Sequence, residues 1–409
     1  MQLTKITDDI RTFSEWLFEG CALQKRTLGH LGTCVEARLH DGQRKTHQPA
    51  GMRLAGDPVE ADAIRQRINR AHLADWPDRT VRNRLHEVAR QAIPDAAALL
   101  IDDTGIEKKG DKSPGVQRQY TGTAGKVTNC QIVVSTHWSS HEASMPLEMD
   151  LYMPRSWCDD SERRAEAWIP EDLVFRTKPQ IALEQVEAIC ASGSTPGLVL
   201  ADASYGDDTS FRDALRDRGL DYALGISRTL KVWRPEEGPD PPAARSRKGR
   251  TPTRRFPGRY KPVEVGVLAT ELTEEMWEDV DLRPGRPDLR TSRFARVRVR
   301  HAHRAVTGKP PGPEEWLVLE WPEGESAPTH YYLCSLDEEM ALADMAILAK
   351  LRWRVERDYQ DAKQEIGLHH YEGRRWTGFH HHLTICTAAM ANLAARRSLF
   401  PPRSTAVRR

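Results

Sequence analysis

Two short apolar runs, each closed by aspartate, constrain this chain more than anything else in it. In Leu99-Leu100-Ile101-Asp102-Asp103-Thr104-Gly105 the apolar residues stop at two carboxylates and Thr-Gly breaks the pattern. That predicts a buried strand delivering acid to its exposed end. Gly197-Leu198-Val199-Leu200-Ala201-Asp202 repeats the device with Ser204, Tyr205 and Gly206 behind it. Either run alone reads as a strand end with a turn-forming residue. Together with a lone Glu356 among basic residues on a later helix, they read as the parts of one acidic site.

Composition narrows the class. The 409 residues, 39% hydrophobic and 29% charged, suffice for two or three domains of ordinary globular type. No apolar run reaches the length of a spanning helix, and the first residues lack the basic-then-apolar order of a secretory signal, so a cytoplasmic location is expected. The seven cysteines include no Cys-x-x-Cys pair, which argues for free thiols over zinc or redox work. Net charge is only +1, but Arg228 to Lys261 carries eleven Lys/Arg against three Asp/Glu. Such a run reads as a solvated loop or as a partner for a phosphate backbone.

Along the chain, residues 1–95 read as helical. Asp57 to Ile93 gives two helices broken at Asp75-Trp76-Pro77-Asp78, the second with Val81, Leu85, Val88 and Ala92 at helical spacing and arginines on other faces. A helix-turn-helix-like DNA reader and a plain bundle fit that pattern equally. From Ala98 to Tyr152 three strands form a predicted antiparallel meander, with a basic, Gly-rich turn region between the first two. A helix over Pro179 to Ser192, the Asp202 strand, a helix over Asp207 to Arg218 and a strand over Tyr222 to Ile226 follow. This is the element order of a ribonuclease-H-like α/β core. Pro262 to Thr270, Phe294 to His301, Trp316 to Trp321 and His330 to Leu336 alternate polar and apolar, predicting a mostly β insertion. A long helix over Asp337 to Ile366 and another over Thr377 to Leu399 close the core. The expected divisions are a helical N-terminal DNA-binding domain (1–95), the first part of the core (96–226), the insertion (227–336), the rest of the core with its catalytic helix (337–400) and a basic tail (401–409).

In the long helix Arg352, Glu356, Tyr359 and Lys363 are spaced by four, three and four, which puts them on one face. Solvated surface helices often carry such pairs. Three carboxylates brought together repel unless a divalent cation neutralises them, and an acid cluster without histidine suits Mg²⁺ or Mn²⁺. Two such ions can activate an attacking oxygen and stabilise the leaving one in a phosphodiester. The sequence shows no Ser-His-Asp or Cys-His arrangement.

Four segments carry a resemblance: Ile101-Asp-Asp-Thr-Gly with Lys108-Lys-Gly; Gln119-Tyr-x-Gly-x-x-Gly-Lys-x-x-Asn-Cys-Gln131; Leu200-Ala-Asp-x-x-Tyr-Gly206; and Arg352-Trp-Arg-Val-Glu356 with Lys363. The chain resembles bacterial insertion-sequence transposases of the DDE class, in the branch with a Tyr-Arg-Glu-Lys signature and a β insertion before the last catalytic helix. The resemblance implies an enzyme that binds its element's terminal inverted repeats, cleaves the ends and joins them to target DNA. It implies Asp103, in preference to Asp102, with Asp202 and Glu356 as the catalytic, metal-holding acids, and two Mg²⁺ or Mn²⁺ ions. It implies phosphate contacts from Arg352 and Lys363, and a homodimer on paired ends in the bacterial nucleoid. The signature Tyr position holds Ala349, with Tyr359 a candidate substitute. Lys108, Lys109 and Lys126 complete the expected DNA contacts. His369-His370 and His380-His381-His382 are read as structural or DNA-facing, not as ligands, and Trp233, Trp316 and Trp321 as core. A domesticated DNA-binding protein and a stand-alone nuclease are the alternatives.

Overall fold

The computed structural model describes residues 9–21, 23–237, 261–282, 291–302 and 312–399. The greater part of the Arg228–Lys261 basic run and all of the 401–409 tail lie outside them. The chain divides into two compact units, Met1–Pro196 with Trp353–Arg409, and Gly197–Arg352.

Among the described residues the first unit opens with five helices, α1 (Ile10–Phe18), α2 (Lys25–Leu39), α3 (His47–Leu54), α4 (Pro58–Leu73) and α5 (Asp78–Ala92). Asp57 starts α4 by accepting from the backbone N–H groups of Val59 and Glu60, with Pro58 in the first turn. In α5 the buried residues include Val81, Leu85, Val88 and Ala92, the stripe predicted from spacing. The arginines of α5 turn to the unit itself: Arg79 and Arg82 bond Glu148, Arg84 bonds the Trp16 carbonyl, and Arg90 bonds the Ser192 carbonyl.

Strands β1 (Ala98–Glu107), β2 (Gln117–Thr121), β3 (Lys126–Ser139) and β4 (Ser144–Tyr152) follow. β1 pairs antiparallel with β3 from Ala98↔Ser139 to Glu107↔Cys130. The other edge of β3 is shared between β2 and β4, with an irregularity at Thr136/His137. β2 was not foreseen; its residues read as turn chemistry. Helix α6 (Lys178–Ala191) starts at a capping box made by Thr177 and Gln180.

The second unit contains β5 (Leu198–Ala201), a four-residue helical turn α7 (Ala203–Gly206), α8 (Thr209–Asp217) and β6 (Asp221–Gly225). β5 and β6 are parallel, as buried apolar runs predict. The sheet continues through β12 (His330–Cys334), β11 (Glu315–Pro322), β10 (Thr291–His301), β7 (Lys231–Trp233) and β8 (Val263–Glu264), with β9 (Glu278–Asp281) beside β10. Val232, Val265, Ala295, Leu317, Leu319 and Leu333 form its core. Pro262–Thr270 is not one strand: β8 gives way to a helical turn over Val265–Leu268.

The long helix expected over Asp337–Ile366 is broken. Helix α9 (Leu342–Lys350) ends the second unit and α10 (Trp353–Asp361) re-enters the first, followed by π-type turns over Ala362–Ile366. Gly367 stops the run with φ at 81°, a conformation that glycine adopts freely. Helix α11 (Trp376–Leu399) is buried on nearly every face. Among the described residues no helix is long and apolar enough to cross a membrane.

Candidate active site

β1 does not stop at its acids. It runs on through Thr104, Gly105, Ile106 and Glu107, so Asp102 and Asp103 sit inside the strand and not at its end. Gly105 belongs there because a Cβ would lie 2.1 Å from Thr121 Oγ1. Successive strand residues point to opposite faces and cross-strand partners share a face. Asp103 pairs with Val134, and Asp102 with Ser135. The two carboxylates therefore leave the strand in opposite directions.

On the Asp103 face lies α6. Lys178 Nζ is 2.8 Å from Asp103 Oδ2, and the Asp103 side chain is 12% exposed. Gln185 of the same helix donates to the Val134 carbonyl and to Asp150 Oδ2. Beyond it Arg82 donates to Glu148 Oε2 at 2.8 Å and Asp150 Oδ1 at 2.9 Å, and sits 3.0 Å from Asp78 Oδ2. Burial pushes the Asp150 carboxyl up, but Arg82, His380 and the bond from Gln185 together hold it well below the usual range.

On the Asp102 face lies α10. Tyr359 OH is 2.6 Å from Ser135 Oγ, which is 2.8 Å from His137 Nε2, and His137 Nδ1 is 2.8 Å from Asp358 Oδ2. Asp358 Oδ1 accepts from Ser144. An Asp-His-Ser relay is thus present, where sequence analysis found no Ser-His-Asp arrangement. Ser135 and His137 are fully buried and Tyr359 is 7% exposed, so no substrate reaches the serine, and the relay ties α10 to the sheet.

Arg354 Nε donates to the His141 carbonyl at one end of α10, and Lys363 Nζ to Thr123 Oγ1 beyond the other. Thr123 in turn contacts Thr104. Glu356 is exposed in the first turn of α10 and has no hydrogen bond or ion pair among the described residues. Tyr359 does not share that exposure, and its inward hydroxyl makes it a structural residue rather than the phosphate contact expected as a stand-in. Ala349, where the signature Tyr falls, is buried in α9. Burial lowers Lys363 to about 8 against the opposing pull of Glu107.

Of the other expected DNA contacts, Lys109 and Lys126 are exposed. Lys108 is half-buried, donates to the Tyr371 carbonyl and is lowered by burial to about 8. Arg352 is half-buried at the end of the second unit. In that unit Asp202 caps α7, Oδ1 accepting from the N–H and hydroxyl of Ser204. A Cβ on Gly206 would lie 1.9 Å from the Gly225 carbonyl oxygen, so glycine lets the turn after Asp202 close onto β6.

His381 and His382 are buried and bonded within the fold, whereas His369 is exposed. His381 bonds the His72 and Trp76 carbonyls, while His382 contacts Arg38 and the Leu368 carbonyl. Trp233 is buried, and Trp316 and Trp321 lie under Arg296, Arg298 and Arg293. Among the described residues no three His, Cys, Asp or Glu side chains stand as a ready-made metal cage.

Residues 21–287 match the profile of a family described as DDE superfamily endonuclease. The chain belongs to the DDE superfamily of endonucleases. The matched segment of this endonuclease-family chain holds Asp103 and Asp202 and stops before Glu356. The chain is also similar to a probable transposase for insertion sequence element IS701 of Microchaete diplosiphon, with 33% identity over 129 residues. That stretch is 31% of this chain and 31% of the relative, so the match spans about a third of each.

Proposed function

We propose that the protein is a DDE transposase, which binds the terminal inverted repeats of an insertion sequence, cleaves the DNA ends and joins them to target DNA. The observation that carries the reading is the family match across both acid-bearing strands. The similarity to the IS701 transposase favours transposition over simple cleavage.

Asp103, Asp202 and Glu356 are the proposed acids, holding two Mg²⁺ or Mn²⁺ ions. The donor set is all carboxylate, which suits a hard cation, and among the described residues Asp202 commits only Oδ1; Asp103, however, faces α6 and Lys178, on the side of the β1–β3 pair opposite to α10 and Glu356. Mg²⁺ is commonly held by one or two carboxylates, with water and substrate phosphate completing its shell, so a preformed cage is not required. Bound there, the ions would activate the attacking oxygen and stabilise the leaving one. The chain supplies orientation. β1 holds Asp103 by cross-strand pairing, the buried relay fixes α10 so that Glu356 faces outward, and Arg352, Lys363, Lys109 and Lys126 grip phosphates. A homodimer on paired ends completes the proposal.

The test is incubation of the full-length protein with a plasmid carrying the element's ends and Mg²⁺. The expected products are cleaved ends and joined target DNA, both lost in Glu356→Gln with end binding retained. Strand transfer by Glu356→Gln, or cleavage in EDTA, contradicts the assignment. The family description as endonuclease supports one second reading, a nuclease, which cleavage without joining would establish.

A further inference from the structure

We propose that the β2–β3 hairpin is a DNA-reading ribbon, its exposed face seated in the major groove with Arg118, Tyr120 and Val127 against base edges. The inference rests on the reading of the chain as one that binds DNA, and it calls on none of the three acids.

Three observations point to it. First, the ribbon has a face that the fold leaves uncovered. Arg118 pairs with Asn129 and Tyr120 with Val127, and cross-strand partners share a face. Arg118 and Tyr120 are two apart, the repeat of a strand, so they share that face with Val127. Tyr120 is 63% and Val127 53% exposed, and Arg118 is exposed beside them. Among the described residues the side chains of Arg118 and Tyr120 make no hydrogen bond or ion pair. Core packing gives no reason for a tyrosine and a valine there. Second, the charge is one-sided. From Lys108 to Gln131 there are five Lys/Arg against one Asp, in a chain of net charge +1. A phosphate backbone complements such a stretch. Third, both ends of the ribbon are fixed. At the root Asn129 Nδ2 donates to the carbonyls of Lys108 and Gly110 at 2.7 and 2.9 Å. At the turn Thr123 Oγ1 lies 3.2 Å from Thr104 Oγ1 and accepts from Lys363. The face between them is held before DNA arrives, so little freedom is lost on binding.

The major groove admits a two-stranded ribbon, and there each base pair shows its own donors, acceptors and methyl group. The Arg118 guanidinium would donate to guanine O6 and N7, Val127 would meet a thymine methyl, and the Tyr120 hydroxyl would bond a base edge. Lys109 and Lys126, both exposed, would hold phosphates, which carry no sequence information. Arg118, Tyr120 and Val127 thus determine specificity, and the two lysines do not.

The experiment measures binding of the full-length protein to two labelled duplexes of equal length, one carrying the element's end and one of scrambled sequence. Dimethyl sulfate protection maps the groove. Arg118→Lys keeps the charge and loses the fork, so it should bind the end about tenfold more weakly and the scrambled duplex within about twofold of wild type. The Tyr120→Ser, Val127→Ser double variant should do the same, and its retained grip on the scrambled duplex shows that it folds. If it does not fold, Arg118→Lys decides. Wild type should protect guanine N7 in the end duplex. Unchanged discrimination in the folded variants overturns the proposal, as does protection confined to adenine N3 of the minor groove. So does a variant that loses self-association with its discrimination intact, which would make the ribbon a contact between copies. Wild-type protein that binds neither duplex removes the DNA-binding reading itself, and the ribbon with it. Normal wild-type discrimination that the variants leave alone removes only the ribbon.

Discussion

The two faces of the β1–β3 pair are built on different principles. The face that receives Asp103 is organised by charge, with Lys178 on Asp103 and Arg82 among Glu148, Asp150 and Asp78. The face that receives Asp102 is organised by hydrogen bonds, from Tyr359 through Ser135 and His137 to Asp358. Buried charge is costly to leave unpaired, so the first face tolerates little substitution. The second face carries a single carboxylate, Asp358, within a chain of hydrogen bonds that contribute less apiece, and there they set the position of a helix. Adjacent aspartates are thereby placed in unlike surroundings by nothing more than strand alternation.

The strongest way to break this contrast is Arg82→Met, which removes the guanidinium that Glu148, Asp150 and Asp78 share. Denaturant unfolding should register a loss of about 3–5 kcal/mol, and a loss near zero would remove the charged character of that face. Tyr359→Phe deletes one hydroxyl from the other face and should cost only about 1 kcal/mol by the same measurement. Its effect on catalysis should be a shift of kcat through Glu356, with DNA affinity unchanged.

The faces should also answer differently to pH. Glu148, Asp150 and Asp78 all lie below their ordinary values when folded. Their contribution is present above the unfolded carboxylate range and is lost as pH falls through the depressed values, so acid unfolding should start here. Lys363, lowered to about 8, has the same sign in a higher window. Above that value it is neutral in the folded chain while the unfolded chain still binds the proton, so its effect on stability improves with rising pH. Its grip on phosphate weakens over the same range. End binding should fall between pH 7 and 9 and be accompanied by proton uptake in calorimetry; Lys363→Arg should flatten the profile. The smallest expected effect is at the exposed lysines. The Lys109→Ala, Lys126→Ala double variant should lower the salt dependence of DNA binding by about two units of slope without altering Mn²⁺ affinity.

Much of the fold was legible from periodicity. The α5 stripe, the parallel β5–β6 pair and α6 appear within a residue or two of where spacing puts them. The break between α9 and α10 was not, because residues 337–366 keep a helical pattern throughout and the chain passes from one unit to the other inside it. For the candidate site, the acid-bearing runs were visible, but the continuation of β1 past Asp103 was not, since Thr-Gly reads as a turn until Thr121 is seen packed against Gly105. Ser135 and His137, polar at alternate places in an apolar strand, were the available sign of the relay. Lys178 carried no sign: its partner lies 75 residues away in sequence.

The most direct measurement compares Asp102→Asn with Asp103→Asn in Mg²⁺-dependent cleavage of the element's ends, each variant being checked for folding. The account predicts loss of at least about a thousandfold for Asp103→Asn, the scale on which transition-state electrostatics act, and near-normal cleavage for Asp102→Asn. An inactive Asp102→Asn beside an active Asp103→Asn would assign the first acid to Asp102, on the face that α10 shares, and contradict it.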